Sequence, residues 1–137
     1  MSFKIVATDF AIDLGTNNIL VYKKNEGVII NEPSMMVLDQ NNTKVLAIGD
    51  KAKEMIGKTP SSIHVVRPIE NGVITDFDLT EAMLKHFFNQ VNPKTTIIQP
   101  KIVICVPSGI TDIESRAIED AALHAGSRDI ILVEQSL

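Results

Sequence analysis

At 137 residues, with 45% hydrophobic residues, 22% charged residues and only 7 Gly and 6 Pro, the chain can bury one ordinary core and is neither disordered nor fibrous in composition. A net charge of -4 and a pI near 5.3 argue against a nucleic-acid partner, since such a protein needs a basic footprint on the phosphates and no run of Lys and Arg supplies one. The single cysteine, Cys105, excludes an internal disulfide or a cysteine metal cluster, and its apolar neighbours Ile102, Val103, Ile104 and Val106 mark it as a buried structural residue.

The first third reads as three strands, over 3–14, 19–22 and 28–30, separated by the turn-forming stretches Gly15-Thr16-Asn17-Asn18 and Lys24-Asn25-Glu26-Gly27. The opening residues are too short and too weakly apolar for a secretory signal, and no stretch approaches the ~20 apolar residues of a spanning helix, so the cytoplasm is expected. From Pro33 to about Val73 the character changes. Strand-like pieces at 35–38 and 45–48 precede a short helix over 50–56, closed by Gly57 and Pro60, which predicts a small inserted α+β unit.

After Asn71-Gly72 the spacing is helical. Leu79, Met83, Phe87 and Val91 recur every four residues, Asp78 with Glu81 fits a first-turn cap, and Glu81 with Lys85 is a favourable pair, predicting a helix over 79–90. Residues 101–106 form an apolar run of the kind buried on both faces of a parallel sheet. The next helix opens on a Thr111/Glu114 capping box, shows Ile113, Ala117, Ala121 and Ala125 along one face and closes at Gly126, before a strand over 130–133. A hairpin meander followed by strand, helix, strand, helix, strand predicts an α/β domain with right-handed crossovers.

Asp13-Leu14-Gly15-Thr16-Asn17-Asn18 closes the first strand on a tight turn. Such a turn can aim backbone N–H groups, the Thr16 hydroxyl and the Asn17 amide at phosphate oxygens, while Gly15 lets backbone approach closely. The Asp13 carboxylate can hold hydrated Mg²⁺ on the same phosphates. The same six residues also fit a hairpin turn that uses Gly and Asn for positive φ. Pro107-Ser108-Gly109, at the C-terminal end of the apolar strand, is a second polar turn where open α/β sheets bind ligands, and also fits an ordinary connection ahead of Thr111. His64, His86 and His124 have no second ligand at metal spacing, and Asp76 and Asp78 read as a solvated helix start.

Ile12-Asp13-Leu14-Gly15-Thr16 is similar to the first phosphate motif of the actin superfamily, which includes actins, DnaK-type chaperones and sugar kinases. The stretch from Arg67-Pro68-Ile69-Glu70-Asn71-Gly72 to Phe77, the following Leu79 to Leu84, Val106-Pro107-Ser108-Gly109-Ile110-Thr111 and Ala125-Gly126 resemble MreB and its paralogue Mbl. The resemblance spans nearly the whole chain. It implies an actin-like, RNase H-like ATPase lobe, with 1–32 and 74–137 as subdomain IA, 33–73 as subdomain IB and the second lobe absent. It also implies ATP (or GTP) with Mg²⁺, bound through Asp13, Gly15, Thr16 and Asn17. Self-association into filaments, a cytoplasmic location at the inner membrane face and a link to the cell-shape or wall-synthesis machinery are the further expectations.

The resemblance assigns membrane contact to the loop holding Ile97 and Ile98, and to Phe3 near the start. Two inserted isoleucines contribute roughly 3 to 6 kcal/mol at most, enough only for a polymer with many copies. Both residues fit the start of a strand equally well. Where this family usually reads Glu-Glu-Pro-Met, the chain reads Glu134-Gln135-Ser136-Leu137, so Gln135 takes the place of the glutamate that positions the attacking water. Eukaryotic actin also has Gln there. An amide orients water but cannot accept its proton as a carboxylate does, which implies slow hydrolysis in the full-length protein, while the fragment alone is expected to be inactive. Two alternatives stand beside the filament protein: an actin-fold chaperone or kinase using the same phosphate turn, and a truncated, non-catalytic capping form.

Overall fold

The computed structural model describes residues 10–58, 62–91, 101–127 and 129–135. In chain order these form β1 (Phe10–Leu14), β2 (Asn18–Lys23), β3 (Gly27–Pro33), β4 (Met36–Asp39), β5 (Val45–Ile48), α1 (Asp50–Lys58), β6 (Ile63–Val66), β7 (Ile69–Glu70), β8 (Val73–Ile74), α2 (Phe77–Val91), β9 (Lys101–Val106), α3 (Asp112–His124) and β10 (Asp129–Glu134). Five strands make one mixed sheet in the order β10-β9-β1-β2-β3. The meander is antiparallel, while β1, β9 and β10 run parallel to one another, so their carboxyl ends emerge at the same edge.

Alternation along the strands builds the core. Phe10, Ile12 and Leu14 of β1, Ile19 and Val21 of β2 and Ile102, Ile104 and Val106 of β9 are buried on one face, where α2 contributes Met83, Leu84, Phe87 and Phe88 and α3 contributes Ile118, Ala121 and Ala122. Each large side chain fully buried here stabilises the fold by about 1.5–3 kcal/mol. The buried polar residues are bonded within the structure: Thr80 Oγ1 donates to the Asp76 carbonyl at 2.8 Å, Ser127 Oγ to the Ala122 carbonyl at 2.6 Å, and Ser34 Oγ lies 3.9 Å from the Met83 sulfur. A smaller three-stranded antiparallel sheet, β5-β4-β6, packs with α1 around Met35, Val37, Ala47 and Ala52. It is tied back to the large sheet by Glu32 of β3, whose carboxylate accepts from the Asp50 backbone N–H at 3.0 Å and so caps α1 from outside.

Several local expectations change. The cap of α2 is Asp76 and not Asp78: the helix begins at Phe77, which packs on the core, and Asp76 Oδ1 accepts from Leu79 N at 3.0 Å. Helix α1 runs through Gly57 to Lys58, so that glycine does not close it. The Asn71-Gly72 pair is the turn of a hairpin between β7 and β8, with positive φ at both residues (52° and 74°), the backbone that a two-residue hairpin demands. Strand β9 is buried on one face only, leaving Val103 and Cys105 half-buried, so Cys105 is less enclosed than its apolar neighbours imply. The α3 capping box is formed as expected, with Thr111 Oγ1 accepting from Glu114 N at 3.1 Å and Glu114 Oε1 from Thr111 N at 3.0 Å. Gly126, at φ 111°, ends the helix through bonds from its own N–H to the Leu123 carbonyl and from Ser127 N–H to the Ala122 carbonyl. Ile113 is 83% exposed, because it lies nine residues before the buried Ala122, about half a revolution around the helix. Among the described residues no helix is long and apolar enough to cross a membrane.

Candidate functional site

The parallel strands β1, β9 and β10 end side by side, at the edge where open α/β sheets take ligands. Asp13 and Leu14 close β1, Val106 closes β9 and is followed by Pro107 to Gly109, and Glu134 closes β10 and is followed by Gln135. Gln135 crosses β9 to reach β1. Its backbone N–H donates to the Val106 carbonyl at 2.9 Å, and its side-chain Nε2 donates to Asp13 Oδ1 at 2.5 Å and to the Leu14 carbonyl at 3.2 Å. Two candidate residues 122 positions apart in sequence thus touch.

The turn after β1 owes its glycine to its own closure. A Cβ on Gly15 would stand 2.5 Å from the Asn18 carbonyl oxygen, and none of residues 15–18 has a positive φ, so neither left-handed backbone nor a ligand is needed to explain it. Thr16 is half-buried and its Oγ1 accepts from the Gly72 N–H at 2.8 Å, which joins the turn to the β7–β8 hairpin. With that lone pair used, the hydroxyl hydrogen is left to donate to an anion. Asn17 is exposed, and its carbonyl accepts from Ser34 N–H at 2.9 Å. The structure brings Asp13, Thr16 and Gln135 to one edge with Gly15 between them, while the Asn17 side chain faces solvent.

A cavity of roughly 210 Å³ lies beside this edge, between Gly72, Val73 and Ile74 of the hairpin and Pro107, Ser108 and Gly109 of the second turn. Larger openings occur away from the strand ends: one of roughly 650 Å³ by His64, Asp76 and Asp78, and one of roughly 700 Å³ by Glu32, Lys51 and His86. Neither has polar groups converging with Asp13, so the chemistry of the strand ends outweighs size. In the first, His64 Nδ1 is paired with Asn42 Oδ1 at 2.7 Å; in the second, burial lowers the His86 pKa, with opposing effects from Glu32 and Lys51. Cys105 lies opposite Asp13 in the β1–β9 register, and burial, followed by the Asp13 charge, pushes its thiol pKa up.

Among the described residues no group of three or more His, Cys, Asp or Glu could cage a metal ion. A lone half-buried carboxylate at a strand end fits a hard, hydrated cation that completes its shell with water and phosphate oxygen, as Mg²⁺ does. Ile97, Ile98 and Phe3 lie outside the described residues. Local reading missed the Thr16–Gly72 bond and the Asp76 and Glu32 caps. The hairpin alone had a local signal, Asn-Gly between apolar residues.

The sequence model of the MreB/Mbl protein family matches residues 7–137. The cell shape-determining protein Mbl of Bacillus subtilis is 47% identical over 129 residues, covering 94% of this chain and 39% of that protein. The cell shape-determining protein MreB of Escherichia coli is 42% identical over 136 residues, covering 96% and 39%. Among solved structures, MreB5 of Spiroplasma citri bound to ADP superposes with a TM-score of 0.75 at 32% identity, over 95% of this chain and 39% of that one. A MamK double helical filament gives 0.69 at 17% identity over 93% and 40%, a likeness of fold alone. The chain spans about 39% of the length of the curated relatives it matches.

Proposed function

The chain belongs to the MreB/Mbl family, and from that premise we propose that it is the phosphate-binding front part of an actin-like, ATP-dependent filament protein that governs cell shape. The observation that carries this reading is the meeting of Asp13 and Gln135, with Thr16 beside them, at the carboxyl ends of three parallel strands. In this reading residues 1–32 and 74–137 form subdomain IA and 33–73 subdomain IB, and the second lobe corresponds to length in the relatives that this chain does not span.

ATP with Mg²⁺ would supply the phosphoanhydride bond to be cleaved. The chain's own groups bind and orient it. Asp13 would hold the hydrated cation, the amides of the turn with the Thr16 hydroxyl would bind phosphate oxygens, and Gln135 would orient water without taking its proton. The relatives' solved structures hold ADP and AMPPNP, which supports an adenine nucleotide here. Membrane attachment through Ile97, Ile98 and Phe3, at the inner face of the cytoplasmic membrane, and a link to wall synthesis belong to the same proposal and rest on the family resemblance.

Sedimentation of the full-length protein with and without ATP tests the reading. Nucleotide-dependent pelleting is the expected result. ATP turnover without any pelleting would move the protein to the chaperone or kinase class, and no interaction with nucleotide at all would remove the phosphate site.

A further inference from the structure

We propose that Asp13 has a second task besides facing a cation: with the Leu14 carbonyl it fixes which end of the Gln135 amide faces the site, leaving the side chain a single free group, the acceptor Oε1. The inference deepens the phosphate-site reading above and rests on it.

A carboxamide carries two hydrogens on nitrogen and two lone pairs on oxygen. The Gln135 end facing β1 has two neighbours, Asp13 Oδ1 at 2.5 Å and the Leu14 carbonyl at 3.2 Å, and both are acceptors. Only the NH₂ end can satisfy them. Turned the other way, the amide oxygen would face a carboxylate and a carbonyl with no hydrogen between, the arrangement that costs most in a partly buried site. Each amide hydrogen therefore has its own acceptor. The backbone N–H of the same residue is also held, by the Val106 carbonyl at 2.9 Å, so the side chain starts from a fixed point.

What remains has a defined polarity. Oε1 can receive a hydrogen from water but can give none, and a water that donates to it turns its lone pairs elsewhere, as a nucleophile must. Asp13 loses nothing by this arrangement, since a carboxylate has about four acceptor sites and Oδ2 stays available for a hydrated cation. A glutamate in this place would offer no hydrogen to either neighbour. Gln135 is thus matched to Asp13 in a way that a carboxylate in the same pose is not.

Hydrogen exchange of side-chain amides, followed by ¹⁵N NMR on the full chain without nucleotide or magnesium, tests this directly, with the Gln135 signal assigned by its loss in Gln135→Met. In the wild type its Nε2 hydrogens are expected to exchange about tenfold more slowly than those of the exposed Gln40 and Gln90. Asp13→Asn keeps an acceptor oxygen and should keep most of the protection, although it removes the charge a cation needs; Asp13→Ala should lose most of it, since the Leu14 carbonyl holds only the other hydrogen. An unprotected Gln135 in the wild type, or protection unchanged in Asp13→Ala, overturns the proposal. If Asp13→Ala does not fold, Asp13→Asn decides together with the wild type: loss of protection in Asp13→Asn, which keeps the acceptor oxygen, would overturn the proposal. MgATP titration of the same samples reads the phosphate site separately: protection without nucleotide binding would sink that reading and leave the amide orientation standing, and binding without protection would do the reverse.

Discussion

Gly49→Ala probes the joint between the two sheets. Gly49 stands at the N-cap position of α1 with no side chain to cap it, and its φ of +69° lies where a residue with a Cβ loses about 1–2 kcal/mol. A Cβ there would also overlap Glu32 Oε1 and come within 3.2 Å of Glu32 Cβ and Phe87 Cζ. The end of Glu32 is flexible and can swing away, but that oxygen caps the Asp50 N–H, so moving it forfeits a cap worth about 1 kcal/mol. The two effects sum to roughly 2–3 kcal/mol, which lowers a urea midpoint by on the order of 1 M. A double-mutant cycle isolates the second part. In a Glu32→Ala background the cap is already gone and the overlap removed, so Gly49→Ala should cost about 1 kcal/mol less than in the wild type. Equal cost in the two backgrounds would refute the role given to Glu32.

Thr16→Val leaves the Gly72 N–H without its acceptor and should destabilise the β7–β8 hairpin by about 1–3 kcal/mol; faster hydrogen exchange at the Gly72 amide, restored by Thr16→Ser, is the expected signature, and unchanged exchange in the valine variant would contradict it. The raised Cys105 pKa leaves less thiolate at pH 8 than a free cysteine has, so alkylation by iodoacetamide should be slower and its rise with pH displaced upward. A rate equal to that of free cysteine would show the thiol to be neither shielded nor near the Asp13 charge. Replacing both Ile97 and Ile98 with Ser should reduce pelleting of the full-length polymer with liposomes; unchanged pelleting would count against the membrane role.

What could be read from the chain follows the range of the interactions. The meander, α2, β9 and α3 with its capping box have signals within a few residues, and these elements are present, although β9 is buried on one face only and residues 3–9 of the first expected strand lie outside the described residues. Asp76 and Asp78 both offer plausible caps for α2; the choice fell to Asp76 because Phe77 finds a place against the core, and residue spacing cannot register that. Strand β6 escaped notice because Ile63-His64-Val65-Val66 has no alternation and pairs only at the sheet edge. The apolar stripe of α3 is right in its second half and wrong at its start: Ala121 is buried and Ala125 packs on the core, whereas Ile113 is exposed and the packed face also takes in Ile118 and Ala122. In the candidate site, the Asp13 turn was legible as a polar bend at a strand end. Its partners were not, since Thr16 meets a residue 56 positions away and Asp13 one 122 positions away. The glycine of that bend also has a reason internal to the turn, which residue spacing does not show: its missing side chain makes room for the Asn18 carbonyl.

The most direct measurement is equilibrium binding of MgATP to the full-length protein and to its Asp13→Ala and Thr16→Val variants. Binding in the wild type, weakened about tenfold or more by loss of the Asp13 carboxylate and less by loss of the Thr16 hydroxyl, is the expected result. Affinity indifferent to both substitutions would contradict the assignment of the strand-end edge as the phosphate site.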